Sequence, residues 1–140
     1  MVAQRTEDYK SGFYKSGGGV VSPLPDDAPR FVKDYYAYYK TPRGYHKRSL
    51  NSNNGWNVTS NLPFLNFKFF DYADELESAV MIVHGDKAHS FYFGKDTYAL
   101  LKGDNKEFVV VAGANHTDLY DGLSVIPFNK IESFFNENLK

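Results

Sequence analysis

Cysteine is absent from the 140 residues, which excludes a disulfide framework, a thiol nucleophile and any Cys-based metal site. Neither charge is in excess. With 16 Lys and Arg against 17 Asp and Glu, the formal net charge of -1 gives no electrostatic case for a nucleic-acid or anionic-membrane partner. No apolar run approaches the length needed to span a bilayer, and the opening "MVAQRTEDYKSGFYKSGGG" has no apolar stretch of signal-peptide type. The expectation is a soluble, cytoplasmic chain without a membrane partner. Missing too is G-x-S-x-G, the mark of a serine on a strained strand-to-helix turn. "KSGFYKSGGG" and "DGLSVIP" hold glycines and serines at other spacings, and neither follows a buried strand into a helix. The "SGGG" at 16–19 also lacks the Lys-Ser/Thr that completes a phosphate loop. It reads as a flexible link, and no cofactor is expected.

What the chain has in abundance is aromatic surface. Eleven Tyr and twelve Phe help bring aromatics to 17%, concentrated in "FVKDYYAYY" and "LPFLNFKFFDY". That is more large flat side chain than one small domain easily buries, so some of it is expected to face a partner or a cleft. The two sequons, "NVT" at Asn57 and "NHT" at Asn115, carry weight only in a secreted eukaryotic protein.

The Gly, Ser and Pro mixture of residues 1–27 reads as a flexible arm or linker with a short helix around Arg5 to Tyr14. In "DDAPRFVKDYYAYYK", Asp27 can cap and Pro29 suits a first turn. Phe31, Val32, Tyr35, Tyr36, Tyr38 and Tyr39 then recur at helical spacing. Residues 41–61, rich in Asn, Ser and Gly, predict a long irregular connection. A short aromatic helix follows from Asn61 through Phe70, and a polar connection runs on from there. Residues 28–77 therefore form a helical segment.

From residue 78 the pattern changes. "AVMIVHG" and "EFVVVAG" are apolar runs stopped by glycine, as expected of strands buried on both faces. "FGKDTYALLKG" and "PFNKIESFFNENLK" are helical, the latter with Phe128, Ile131, Phe134, Phe135 and Leu139 on one face. The fold class is α/β: residues 78–140 make a β-α-β-α unit whose strands pair in parallel through a helical crossover. Two parallel strands do not make a stable sheet alone, so the unit calls for a neighbour.

Each strand delivers a polar loop at its carboxyl end, where catalytic groups collect in open α/β sheets. His116, in "GANHTDLYD" after the second strand, is the candidate general base. Asp86, just past the glycine of the first strand, can orient it as the acid of a triad. Asp118 and Asp121, close to His116 in sequence, are alternatives for that role. Each has a bland reading beside it: a surface histidine, or turn aspartates bonding local backbone. His84, Asp86 and His89 hint at a metal site, but a strand-to-loop turn points such residues apart and no accompanying cluster completes the set, so no metal is expected.

"DDAPRFVKDYYAYYKTPRGYHKRSLNSNNGW", "IVHGDKAHS", "GANHTDLYD" and "IPFNKIESFFNENLK" resemble, in order and over nearly the whole chain, the C-terminal half of bacterial α/β-hydrolases of the dienelactone hydrolase-like and acyl-esterase-like group. The resemblance implies a partial α/β-hydrolase fold. The two strands become the last of an eight-stranded sheet, His116 the catalytic histidine, and residues 28–75 part of a cap over an acyl pocket. The chain departs from the family pattern in two respects. The serine elbow and oxyanion-hole loop belong to an N-terminal half not among these residues, and Ala88 stands where many of these enzymes carry the triad acid, which leaves Asp86 as the substitute. The expected function is thus the His-bearing portion of a serine esterase, inactive alone and completed by a separate N-terminal hydrolase half to act on a small-molecule acyl substrate. The competing expectation is a non-catalytic homodimeric binding module that hides its open strand edge against a second copy.

Overall fold

The structure, a computed structural model, describes residues 1–139. Backbone proximity divides the chain into two compact units, Met1–Lys68 and Phe69–Lys140.

In the first unit, α1 (Val2–Ser11) ends on Gly12, whose left-handed φ of 72° lets its N–H return to the Asp8 carbonyl. Pro29, with ψ 155°, takes the cap position of α2 (Arg30–Tyr39), so Asp27 does not cap it. The tyrosine-rich stripe of α2 packs partly on itself: Tyr38 and Tyr39 meet edge to face with ring centroids 4.9 Å apart, and the Arg43 guanidinium lies 5.3 Å from the Tyr38 ring centre. The connection expected to be irregular contains a short helix, α3 (Leu50–Asn54), and α4 (Asn61–Asn66) stops well before Phe70 because Phe67 turns extended.

The N-terminal segment expected as an arm has specific backbone partners. The Gly17 N–H bonds the Trp56 carbonyl, the Trp56 N–H bonds the Gly18 carbonyl, and the Val58 N–H bonds the Lys15 carbonyl. Ser16 and Asn57 form an antiparallel bridge. A Cβ on Gly55 would fall 2.0 Å from the Gly18 carbonyl and one on Gly19 2.8 Å from the Gly55 Cα, so this approach requires glycine at both Gly55 and Gly19. The glycine run of "SGGG" serves close packing.

The second unit is mixed α and β. After a 3-10 turn (Ala73–Glu75) come β1 (Val80–Gly85), α5 (Phe91–Leu100), β2 (Lys106–Val111), the one-turn α6 (Asp118–Asp121) and α7 (Phe128–Asn138). The strands pair in parallel, with Val80 opposite Lys106 and Gly85 opposite Val111, so both chains leave the sheet at the same end. α5 lies on one face of this ribbon. Phe108 of β2 stacks on Phe91 and on Tyr98 of α5, at centroid distances of 5.9 and 5.5 Å. Gly94 lets the helix come this close, since a Cβ there would stand 2.9 Å from the His84 ring and 3.3 Å from Phe108. At the other end the buried Lys106 ammonium donates to the carbonyls of Leu76 and Ser78 and ties down the entry to β1.

Neither strand is buried on both faces. Val80 to His84 are half-buried, and Val110, in the middle of the expected apolar run, is 47% exposed. The physical reason is that two strands and one covering helix cannot enclose each other. Among the described residues the buried apolar ones are few: Ala28 in the first unit, and Ala88, Val109, Ala114 and Phe134 in the second. The chain exposes 10402 Å². A folded monomer of this mass exposes about 7,400 Å², and two separate units of half the mass about 8,900 Å² together. On either count a large area stays in water, and much of it belongs to rings such as Phe64, Phe67, Phe69 and Tyr72.

Candidate functional site

The in-register ending of β1 and β2 sets two loops side by side, residues 86–90 and 112–117. Backbone bonds join them: the Asp86 N–H donates to the Val111 carbonyl at 3.2 Å, and the Lys87 N–H to the Ala114 carbonyl at 3.0 Å. Gly85 is required at this junction, because a Cβ would stand 2.2 Å from the Ala114 oxygen. The Asp86 carboxylate adds a third link by accepting the Gly113 N–H at 2.7 Å. Its other charged neighbour is Lys87, at 4.0 Å. Asp86 therefore fixes the start of the histidine loop and does not contact the His116 ring.

His116 sits inside a reciprocal cap. The Asn115 side-chain oxygen accepts the N–H groups of Thr117 and Asp118 and the Thr117 hydroxyl, at 2.9 to 3.0 Å, while the Asp118 carboxylate accepts the Asn115 N–H at 2.9 Å. Thr117 is fully buried beneath it. The spacing Asn-x-x-Asp in "NHTD" is the sequence signal for this cap. It makes Asp118 a backbone-fixing residue and places His116 in the turn just before α6.

The ring's neighbours include residues of the 86–90 loop and of α6. Ser90 Oγ lies 3.2 Å from His116 Nδ1, the His89 ring centre is 6.1 Å away, and Tyr120 presents an edge-on contact at 5.3 Å. Burial lowers the His116 imidazole from its ordinary value, and the imidazoles of His89 and His84 push it the same way. A half-buried imidazole kept neutral near pH 7 is in the proton-accepting form. His84 faces elsewhere: its Nδ1 meets the Gly85 carbonyl at 3.1 Å and its ring packs on Phe91. Among the described residues no three His, Asp or Glu side chains are grouped to hold a metal ion.

Sequence reasoning singled out His116 and Asp86, and the structure brings their loops together. It missed Ser90, which comes from a residue 26 positions away and is close only because the two strands end in register.

No protein-family model matches the chain. It is similar to the uncharacterized protein PA2218 of Pseudomonas aeruginosa, 45% identical over 111 residues, which are 79% of this chain and 30% of that protein. It is also similar to the uncharacterized protein YcjY of Escherichia coli, 29% identical over an alignment covering 96% of this chain and 44% of YcjY. The crystal structure of hypothetical protein PA2218 matches with a TM-score of 0.88 at 40% identity, over 97% of this chain and 42% of that one. The chain thus spans less than half the length of the relatives it matches, and its fold is one that PA2218 shares.

Proposed function

We propose that the chain is the histidine-bearing portion of an α/β-hydrolase acting on carboxylic esters, with the attacking serine and the oxyanion donors supplied by residues outside these 140. In this reading β1 and β2 are the final strands of a larger parallel sheet, and the aromatic helices of the first unit belong to a cap over an acyl pocket. His116 takes the proton from the incoming serine hydroxyl as that oxygen attacks the ester carbonyl, then returns it to the leaving alcohol. Asp86 acts at one remove, holding the histidine loop through Gly113.

The observation that carries the reading is the pairing of an unfinished parallel ribbon with a neutral, clamped histidine at its carboxyl end. Among the described residues each strand of the ribbon has one unpaired edge, and Val110 stands open to water. The relatives, more than twice as long, have polypeptide enough to complete such a sheet.

The test is to co-express this chain with the portion of PA2218 that it does not match and to measure p-nitrophenyl acetate hydrolysis by the purified pair. The expected result is turnover by the pair, negligible turnover by either piece, and a loss of at least about a thousandfold in His116→Ala. A co-purifying pair without turnover, or turnover that survives His116→Ala, overturns the proposal. The same open edges favour a second reading, a homodimer joined strand to strand. A chain that is a tight dimer by light scattering and refuses the complement supports that reading instead.

A further inference from the structure

The geometry points to Ser90 as a positioning residue at His116 Nδ1, its neutral hydroxyl orienting the ring and fixing its tautomer. Ser90 is the residue immediately before α5, the place where a serine hydroxyl ordinarily caps the helix by accepting one of its first N–H groups. Here that cap bond is not made, and the Ser90 hydroxyl faces His116 Nδ1 at 3.2 Å instead. In a Ser-His-Asp set the group at Nδ1 accepts the ring N–H, fixes the tautomer and leaves Nε2 as the base. A serine oxygen has the lone pairs for the same bond.

Asp86 accepts the Gly113 N–H and Asp118 the Asn115 N–H, so both of these carboxylates hold backbone of the histidine loop. Titratable groups beside the ring include His89, of the same loop as Ser90, and Tyr120 of α6, while the His84 imidazole of β1 acts on its titration. Burial first, and the His89 and His84 imidazoles after it, lower the pH at which His116 takes up its second ring proton.

This inference takes from the hydrolase reading only what the base acts on, and its test uses the 140-residue chain alone. Long-range proton–nitrogen NMR of the histidine side chains reports which ring nitrogen carries the proton. Wild-type His116 is expected as the Nδ1–H tautomer. Ser90→Ala shifts it toward Nε2–H with the backbone spectrum preserved, Ser90→Thr retains Nδ1–H, and Ser90→Asp raises the His116 pKa by about one unit or more. An Nε2–H wild type, a tautomer unchanged in Ser90→Ala, or labelling of Ser90 by a fluorophosphonate, which would make it the nucleophile, overturns the assignment. If the tautomer result holds while the complemented pair shows no turnover, the hydrolase reading falls and the Ser90 role stands. If the pair turns over but the tautomer ignores Ser90, the reverse applies.

Discussion

Replacing Gly85 with alanine tests whether the two loops really are held together by their backbones. The added methyl would sit 2.2 Å from the Ala114 oxygen and 2.7 Å from its carbonyl carbon, so the histidine loop has to retreat by roughly 1 Å to reach van der Waals distance. That retreat breaks the Lys87 N–H bond to Ala114 and strains the Asp86 N–H bond to Val111. Two backbone bonds at about 1 kcal/mol each, with at least about 1 kcal/mol for overpacking against atoms that cannot rotate aside, give a destabilisation of about 3 kcal/mol. For a unit of this size that lowers the melting temperature by about 15 °C, read by circular dichroism, or the urea midpoint in proportion. Gly113→Ala is the control: its φ of 79° strains an alanine, but the added methyl meets nothing, so its cost stays near the 1–2 kcal/mol of left-handed backbone, about half the Gly85→Ala effect. Gly85→Ala within about 1 kcal/mol of wild type would falsify the loop-to-loop contact.

Asn115→Ala removes an acceptor used three times and is expected to cost about 2–3 kcal/mol in urea unfolding, whereas Asn115→Asp, which keeps the oxygen, loses far less. Asp86→Asn preserves an oxygen for the Gly113 N–H and should leave the melting temperature close to wild type, while Asp86→Ala lowers it by the equivalent of about 1 kcal/mol; a larger loss of complemented esterase activity in Asp86→Asn than in Asp86→Ala would refute the positioning role. Because His116 titrates lower when folded than when unfolded, the unfolded chain takes up its proton first as pH falls. The stability is therefore full above the ordinary histidine pKa of about 6.5 and declines as pH drops through the folded value. The urea midpoint of wild type should fall more steeply between pH 7 and about 5 than that of His116→Gln, and parallel curves would contradict the burial of the ring.

The second unit was the more legible half. Continuous apolar runs closed by glycine located β1 and β2, the intervening pattern located α5, and the absence of alternation implied the parallel pairing that the register displays. Apolar runs report what a strand is built to bury, and Val110 shows the difference between that and what these residues cover by themselves. In the first unit the signals were weaker. α3 is five residues of Leu, Asn and Ser, with no periodicity to read. "SGGG" has the composition of a linker, and its packing role depends on Gly55, far off in sequence. At the site, His116 and Asp86 stood out as chemical types on loops after strands. Ser90 did not, because a serine before a helix looks like a cap until the hydroxyl is seen facing another way.

The clasp formed by Asn115 and Asp118 fixes the peptide that carries His116, and the Ser90 hydroxyl meets the ring itself at Nδ1. One set of contacts therefore decides where the backbone stands and another which way the imidazole is turned, so a change at Ser90 re-aims the ring without redrawing the path of the chain.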